Sequence, residues 1–383
     1  MSLHVDKQDI LTMISVTAAV AHRPHADFEI ETIELEAPRD DEILVRIEAA
    51  GICHTDLVFR DMETAVVLPA VLGHEGAGIV EQVGDAVTKV KPGDKVLLTF
   101  RSCGTCKRCE AGKSAYCLQL PQMNFHGTRP DGSRALRSGN GEISSNFFGQ
   151  SSFATHALAY ERNVVRIDAA LDSAVYAPLG CGIQTGAGGI MRSLACEAGS
   201  ALVVIGAGAV GLSAVLGGTL QQCAAIIAIE PKADRRALAL ELGATHALDP
   251  ADGDVVEQVR ALMPDGADYV FDTSGVVQAI EAALGYLAPH GTIGLVGVPG
   301  AADAAISIHV ATAITFGFSV KGIIEGDSEP DEFIPHLIAL HRAGRFPFDR
   351  LITTYPFEAI NQAVADQHDG KCVKAVLQMS GGQ

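Results

Sequence analysis

The spacing of apolar and polar residues changes character near residue 183. Before this point, short segments with strand-like alternation, such as 42–48 and 94–99, are separated by turn sequences. Lys-Pro-Gly-Asp at 91–94 is one such turn, because proline and glycine adopt the dihedral angles that turns require. This pattern predicts an irregular, glycine-rich β region.

Beyond residue 183, apolar strand-like runs alternate with helical segments. We expect strands at 201–205, 225–229, 269–272 and 292–296, and helices at 212–221, 232–242, 255–263 and 277–287. Strand–helix alternation with apolar strands is typical of a parallel, doubly wound sheet. The pattern becomes mixed again after about residue 322, and 370–377 is predicted to form a strand that returns to the first region. We therefore predict an α/β protein in which a doubly wound domain, 183–321, is inserted between 1–182 and 322–383 of a β-rich domain.

Composition narrows the possible partners. The chain has 383 residues, 48% of them hydrophobic, and a net charge of −18, which disfavours a nucleic-acid partner because that needs a basic footprint. Residues 1–11 form a polar leader without the apolar core of a secretory signal. No uninterrupted apolar stretch reaches 18 residues, so we expect no membrane span and a cytoplasmic location.

A glycine motif follows the first strand of the predicted doubly wound domain. Gly206, Gly208 and Gly211 form G-x-G-x-x-G between a strand and a helix, where a pyrophosphate approaches the backbone. Glu230 ends the next strand, 19 residues after Gly211, and an acidic residue there binds the ribose hydroxyls of NAD and repels the additional phosphate of NADP. A glycine-rich turn without a nucleotide is the alternative, but the complete context of the motif favours NAD.

Four cysteines lie within fifteen positions, at Cys103, Cys106, Cys109 and Cys117. Thiolates at this spacing suit a closed, tetrahedral, structural zinc site in a lobe at about 100–120. Free or disulfide-paired cysteines are the alternative, which a reducing cytosol disfavours.

Three more candidate ligands are dispersed along the chain. Cys53 and Cys181 are each weak evidence, because an isolated buried cysteine is usually a small hydrophobic residue. His74 and Glu75, however, are flanked by glycines that allow close approach of the backbone. Two thiolates and one imidazole leave a fourth position open, which is typical of a catalytic zinc.

Taken together, these motifs resemble those of the zinc-containing medium-chain alcohol dehydrogenases. The matching segments are 51–56, 73–78, the four-cysteine lobe, 180–186 and 206–211, in the order of that family. The stretches 53–56 and 147–153 are similar to bacterial aryl-alcohol (benzyl alcohol) dehydrogenases. The resemblance implies a GroES-like β domain plus a Rossmann domain, with the active site in the cleft, two zinc ions per chain, and a homodimer or homotetramer whose edge region is 306–320.

The resemblance also implies roles for individual residues. Cys53, His74 and Cys181 would hold the catalytic zinc, Glu75 would lie behind the metal, and Thr55 would accept the alcohol proton. The cofactor-binding residues that it implies are His54 and Lys374 at the phosphates, Thr185 and Val298 at the nicotinamide, Glu230 and Arg235 at the adenosine ribose, and Gly206, Gly208, Val210 and Gly211 in the glycine-rich loop.

One position departs from the family pattern. Val58 stands where many members have a histidine that ends the proton relay, and a valine cannot carry a proton. This departure concerns the path of the proton and not the reaction class. The resemblance implies reversible oxidation of a primary alcohol to the aldehyde with hydride transfer to NAD, and we expect a small neutral alcohol, benzylic or allylic, because no cationic residue stands out as a carboxylate clamp.

Three alternatives stay open at this point. A glutathione-dependent formaldehyde dehydrogenase would have an arginine shortly after the last lobe cysteine, where this chain has Leu-Gln-Leu-Pro-Gln at 118–122. A zinc-free quinone-reductase-like relative would lack the cysteines. A non-enzymatic zinc- and NAD-binding interaction protein would bind NAD without any alcohol-dependent formation of NADH.

Overall fold

A computed structural model of the chain describes residues 13–62, 66–139, 141–301 and 303–379, so the polar leader predicted at 1–11 lies outside the described residues. The strands are β1 Met13–Ala21, β2 Glu29–Glu36, β3 Glu42–Gly51, β4 Ala70–Val71, β5 Gly76–Val83, β6 Lys95–Leu98, β7 Leu136–Ser138, β8 Gly141–Ile143, β9 His156–Tyr160, β10 Val164–Ile167, β11 Ala201–Ile205, β12 Ala225–Ile229, β13 His246–Leu248, β14 Ala267–Asp272, β15 Leu287–Leu295, β16 Ser319–Gly322, β17 Ile352–Pro356 and β18 Lys374–Gln378. The α-helices are α1 His54–Asp61, α2 Lys107–Glu110, α3 Leu120–Asn124, α4 Ser173–Tyr176, α5 Gly182–Gly188, α6 Ala209–Leu220, α7 Ala233–Glu241, α8 Val255–Leu262, α9 Val277–Ala283, α10 Val310–Phe316, α11 Pro330–Arg342 and α12 Ile360–Asp369.

The second half of the chain contains a six-stranded parallel sheet in the order β13-β12-β11-β14-β15-β16. Strands β11 and β12 are almost fully buried, and the last three residues of β14 are buried too, which explains the apolar runs in these strands. Strand β12, the next strand along the chain, pairs with one side of β11, and β14 pairs with the other side. The strand order therefore reverses at the carboxyl end of β11, where doubly wound sheets bind their ligands.

One predicted helix boundary, at residue 287, is wrong. The sequence pattern extended a helix over 277–287, whereas α9 ends at Ala283 and β15 begins at Leu287. Hydrogen bonds from Gly285 N to Ala282 O and from Ala267 N to Tyr286 O turn the chain into the sheet instead. The apolar residues at 284–287 therefore continue into a strand, because sheet pairing overrides their helical spacing.

The remaining strands form two mixed or antiparallel sheets, β4-β1-β2-β7-β8 and β10-β6-β5-β3-β18-β17, with β9 also paired to β3. Strand β18 pairs antiparallel with β3, with Val376 opposite Gly51, so the predicted return of the tail is confirmed. The predicted α/β architecture, a β-rich part beside a doubly wound parallel sheet, is confirmed as well, while the exact boundaries 1–182, 183–321 and 322–383 stay a prediction.

One hydrophobic core joins the two parts of the molecule. It contains Ala49 and Leu97 from the β-rich part, Leu202 and Leu212 from the parallel sheet, and Val376 from the returning tail. A close-packed shared core fixes the relative position of the elements that line the cleft between the two parts. Among the described residues, no helix is long and apolar enough to cross a membrane.

Candidate active site

The site is assembled where β3 meets α1. Cys53 lies at the N-cap of α1, and the carboxylate of Asp56 in the first turn accepts hydrogen bonds from Cys53 N at 2.9 Å and from Gly73 N at 3.1 Å. The same carboxylate is 2.7 Å from Nδ1 of His74. Asp56 is fully buried and therefore fixes both the orientation of His74 and its distance from Cys53.

Cys181 comes to the same donors from a later segment of the chain. It follows a 3-10 turn at Ala177–Gly180 and directly precedes α5. The Thr99 hydroxyl donates to Gly180 O at 2.7 Å, and a Cβ on Gly180 would lie 2.2 Å from the Leu98 carbonyl oxygen. Glycine is therefore required before Cys181, because only glycine permits this approach to β6.

These donors fit a zinc ion. One ligand atom from each of Cys53, His74, Glu75 and Cys181 lies within 4.8 Å of all the others. His74 Nε2 is buried with no hydrogen-bond partner among the described residues, although its Nδ1 is held by Asp56. A hydrogen bond with Cys181 lowers the pKa of Cys53 far below its usual value. A buried imidazole nitrogen aimed at two sulfur atoms, one of them thiolate-prone, is the donor set that zinc prefers.

Glu75 is held behind these donors by a buried ion pair. Lys374 Nζ lies 2.6 Å from Glu75 Oε2 and donates to Ile52 O at 2.9 Å, while Gly182 N donates to Glu75 Oε1 at 2.9 Å. Burial raises the pKa of Glu75, and the charge of Lys374 opposes that rise. A Cβ on Gly51 would lie 2.0 Å from Glu75 Oε2, which explains the glycine before Ile52 and Cys53.

The four-cysteine lobe forms a second compact donor set. The sulfur atoms of Cys103, Cys106, Cys109 and Cys117 all lie within 4.8 Å of one another. The Cys103–Cys109 and Cys106–Cys109 sulfur distances are 3.9 and 3.6 Å, close to the edge of about 3.8 Å expected for a tetrahedron with zinc–sulfur bonds of about 2.3 Å. A backbone hydrogen bond from Leu118 N lowers the pKa of Cys106 to about 6, which favours the thiolate form that binds metal.

Replacing Cys106 with alanine is expected to remove one zinc per chain and to lower the melting temperature by several degrees, because structural zinc contributes directly to folding free energy. Metal analysis and thermal unfolding of the purified variant would measure both effects. The matched control is Cys223→Ala, a half-buried cysteine outside the lobe. Unchanged metal content and melting in the Cys106 variant would contradict the structural-zinc assignment.

A cleft of about 610 Å³ runs from the metal donors to the end of β12. Among the predicted cofactor residues, it is lined by His54, Gly206, Gly208, Val210, Glu230, Arg235 and Lys374, together with Cys53. Gly206 has φ +89°, and a Cβ on Gly211 would lie 1.9 Å from the Gly206 carbonyl oxygen. The motif therefore makes the tight turn and close helix packing that bring the backbone to the cleft.

Glu230 and Arg235 lie at the far end of the cleft. Glu230 accepts hydrogen bonds from Ala207 N at 2.7 Å and from Lys232 N at 2.9 Å, so the carboxylate is fixed against the glycine-rich loop. Arg235 donates weakly to the Gln367 and Cys372 carbonyls, at 3.3 and 3.4 Å, and its Nε is buried without a partner in the described part of the chain. Both side chains therefore retain hydrogen-bonding capacity toward the cleft.

Two predicted nicotinamide residues differ in their surroundings. Thr185 is buried on α5, one turn after Cys181. Val298 is 45% exposed, beyond β15, and is absent from the cleft lining, so the structure does not bring its side chain to the metal donors.

Thr55 is half-buried in the first turn of α1, close in sequence to Cys53, and Val58 follows one turn later on the same helix.

Comparison with known proteins agrees with this geometry. A family described as "Alcohol dehydrogenase GroES-like domain" matches residues 39–169, and one described as "Zinc-binding dehydrogenase" matches 209–341. Geraniol dehydrogenase of Castellaniella defragrans is 46% identical over 374 residues, which is 97% of this chain and 99% of that protein. The chain belongs to the zinc-binding alcohol dehydrogenase family.

Two solved structures of this alcohol dehydrogenase family are similar over their whole length. The alcohol dehydrogenase zinc-binding domain protein from Burkholderia ambifaria is 46% identical with a TM-score of 0.93, covering 96% of this chain and all of that one. Benzyl alcohol dehydrogenase from Acinetobacter calcoaceticus is 38% identical with a TM-score of 0.92 and the same coverage. The predicted likeness to aryl-alcohol dehydrogenases is confirmed.

Two residues beside the candidate site, Asp56 and Glu325, were not predicted from the sequence. Asp56 was detectable, because an acidic residue three positions after an N-cap commonly completes a capping box. Glu325 carried no signal in the sequence, because it lies 144 residues after Cys181, yet its Oε1 is 3.8 Å from that sulfur. Burial raises the pKa of Glu325 to about 8.

Proposed function

We propose that the protein reversibly oxidises small neutral primary alcohols, benzylic or allylic, to aldehydes with NAD, using zinc held by Cys53, His74 and Cys181. The observation that carries this proposal is the buried Nε2 of His74, which has no hydrogen-bond partner in the described part of the chain and lies near two cysteine sulfurs at the end of a dinucleotide-type cleft. Three protein ligands leave an open coordination position for an alcohol oxygen.

Each residue around the donors would have a separate role. Bound zinc supplies Lewis acidity that lowers the pKa of the alcohol, and NAD supplies the hydride acceptor. Asp56 holds His74 in the orientation in which Nε2 faces the metal position. Thr55, in the first turn of α1, accepts the alcohol proton and passes it toward the cleft. The Glu75–Lys374 pair places a neutralised carboxylate behind the site.

The surroundings of His74 support an apolar substrate. Phe148 stacks on the imidazole with ring centroids 4.3 Å apart, and Phe147 meets it edge-on at 5.6 Å. Phe59 and Phe125 extend this aromatic cluster. Aromatic rings bury large apolar surfaces, so this side of His74 is apolar, and these four rings carry no cationic group that would bind a charged substrate. The names of the similar proteins, geraniol dehydrogenase and benzyl alcohol dehydrogenase, agree with an apolar substrate.

A substrate panel tests the proposal directly. Purified protein, NAD and a series of benzylic, allylic, short aliphatic and carboxylate-bearing alcohols would be followed by NADH absorbance. We expect the highest kcat/KM for benzylic and allylic alcohols. Activity confined to the glutathione adduct of formaldehyde would favour the glutathione-dependent class instead. NAD binding without turnover of any alcohol would favour the non-enzymatic interpretation.

Cofactor preference follows from Glu230. Because its carboxylate is fixed beside the glycine-rich loop, a 2′-phosphate would meet charge repulsion and lose hydrogen bonds to the ribose hydroxyl. We expect kcat/KM for NAD to exceed that for NADP by about tenfold to a thousandfold, or about 1.4–4 kcal/mol. Glu230→Gln, which keeps one acceptor oxygen, should lower the ratio of kcat/KM for NAD to kcat/KM for NADP. Equal kcat/KM values in the wild type would refute this role.

We further propose a homodimer or homotetramer in which a second copy covers α10 and the edge of the parallel sheet. Helix α10 has no buried residue, and it exposes Val310 at 70% and Ile314 at 78%. Strand β16 stands at the end of the sheet beside β15, and no other described strand pairs with its outer edge. Sedimentation should show a dimer or tetramer, and Ile314→Lys should yield smaller species. A monomeric wild type would contradict this assembly.

A cytoplasmic location completes the proposal. It is supported by the nine cysteines, all present as free thiols, six of which belong to the two donor sets. Metal-binding thiolates persist in a reducing compartment, whereas an oxidising compartment converts exposed neighbouring thiols to disulfides.

A further inference from the structure

A buried chain of hydrogen bonds connects the two segments that carry His74 and Cys181. The side-chain amide of Gln150 donates from Nε2 to His74 O at 2.9 Å and to Thr99 O at 3.1 Å. The Thr99 hydroxyl in turn donates at 2.7 Å to Gly180 O, the carbonyl next to Cys181. Two side chains therefore link the backbones of two proposed metal donors that lie far apart in the sequence.

The amide of Gln150 holds the backbone on both sides of Glu75. Besides the bond from Nε2 to His74 O, its Oε1 accepts a hydrogen bond from Gly76 N at 3.1 Å. Gln150 is only 2% exposed, so water cannot readily replace these bonds. Removing the amide would therefore take two bonds from buried backbone groups next to a metal donor, which is costly in an interior without water.

Gln184 completes the network at the other end. Its Nε2 donates to the Thr99 hydroxyl at 2.8 Å and to Gly180 O at 2.7 Å. Thr99 and Gln184 are both fully buried. The Thr99 hydroxyl thus accepts one hydrogen bond and donates another, which fixes the direction of its O–H group. Connected hydrogen bonds reinforce one another in a low-dielectric interior, so the network resists changes in the distance between the segments it joins.

The segment that carries Gln150 has a strained backbone. Asn146, Phe148 and Ser151 have φ angles of +60°, +53° and +59°, which non-glycine residues rarely adopt. The contacts of the segment maintain this conformation, among them a hydrogen bond from Ser151 Oγ to Val71 O at 2.6 Å. Strain of this kind is concentrated at functional sites, where the surrounding structure enforces it. Here the strained segment places the Gln150 amide against the backbone of a proposed metal donor.

We propose that Gln150 and Thr99 are positioning residues whose buried hydrogen bonds hold His74 and Cys181 at the separation that one zinc ion spans. The proposal rests on the proposed catalytic zinc site. Both residues act through the backbone, whereas Asp56 holds the imidazole ring of His74 directly. Residues that orient metal ligands commonly contribute about 10–100-fold to metal affinity, so the loss of either side chain should weaken the catalytic zinc.

The test measures the affinity of both zinc ions by competition with a chelator. The four-cysteine lobe is the internal reference, because its ligands all lie in one short segment, 103–117. Thr99→Val and Gln150→Leu should each weaken the catalytic zinc about 10–100-fold and change the lobe zinc less than about twofold. If the two side chains form one link, the double variant should lose far less than the product of the two single losses.

Two controls and a spectrum separate positioning from general stability. Thr99→Ser keeps the hydroxyl and should retain the wild-type affinity for zinc. Ser213→Ala removes another buried hydroxyl, which donates to Ala209 O within α6, and should leave both zinc ions unchanged. With cobalt(II) in place of the catalytic zinc, the visible absorption reports the coordination geometry, so it should shift in Thr99→Val and Gln150→Leu but not in Thr99→Ser.

Unchanged affinity of the catalytic zinc in Thr99→Val and Gln150→Leu would show that the network does not set the separation of the donors. Equal weakening of both zinc ions, together with a lower melting temperature, would reduce the two residues to a general structural role. Fully multiplicative losses in the double variant would show that they do not form one link. If Gln150→Leu fails to fold, Thr99→Val decides alone. A wild-type protein that binds zinc only in the four-cysteine lobe would refute the proposed catalytic site itself, independently of this network.

Discussion

Cys181→Ala is expected to remove one of two zinc ions per chain and to lower kcat/KM for the alcohol by at least about a thousandfold. Cys181 is one of the three protein donors proposed for the catalytic zinc, so its loss would leave only Cys53 and His74 at a site whose proposed chemistry needs a strong Lewis acid. Several kcal/mol of transition-state stabilisation come from such a metal, and each 1.36 kcal/mol corresponds to about a factor of ten.

The fold should survive this substitution. Cys181 follows a turn fixed by the Thr99–Gly180 hydrogen bond, which alanine leaves intact. The matched control is Cys196→Ala, because Cys196 is also a buried cysteine in the shared core but lies outside both donor sets. Equal zinc content and turnover in the two variants would remove Cys181 from the catalytic site. Loss of NAD binding together with unfolding would instead indicate a structural role.

Thr55→Ala is expected to lower kcat/KM for alcohol oxidation by about 10²–10⁴, the usual contribution of a positioned proton-transfer group. The hydroxyl both accepts and donates a proton, as a relay requires, and Val58 on the same helix offers no group to replace it. Thr55→Ser is the matched control, since it keeps the hydroxyl and should retain most of the activity.

The response to pH gives a second measurement of the same relay. The proposed exit for the proton leads from Thr55 to a ribose hydroxyl and then to water, with His54 at the mouth of the cleft as a phosphate contact. His54→Arg should therefore leave the pH profile intact. If it abolishes activity near neutral pH, His54 is the base and this route is wrong. Full activity in Thr55→Ala would remove Thr55 from the relay.

Patterns that depend on local spacing were predictable from the sequence. Strands β11 and β12 begin and end at the predicted residues, because buried parallel strands are continuous apolar runs, and Gly206 and Glu230 follow these two. The four-cysteine lobe was likewise predictable, since its ligands lie within one short segment. The resemblance to a family was needed to assign one zinc site to Cys53, His74 and Cys181, because their separation along the chain carries no geometric information.

Contacts made only by the folded chain were not predictable. Lys374 was expected at the phosphates, and it borders the cleft, but its Nζ pairs with Glu75 because β18 returns beside β3. Glu325 reaches Cys181 through a left-handed turn that no periodicity indicates. The end of α9 depended on pairing of β15 with β14, a long-range contact that overrides local helical spacing.

The most direct test of the account is NADH formation from a benzylic alcohol before and after reversible removal of zinc. Chelation that withdraws the zinc of Cys53, His74 and Cys181 while sparing the closed four-cysteine lobe should abolish turnover, and added zinc should restore it in proportion to the metal bound. Undiminished turnover by protein that retains only one zinc per chain, in the four-cysteine lobe, would contradict the account.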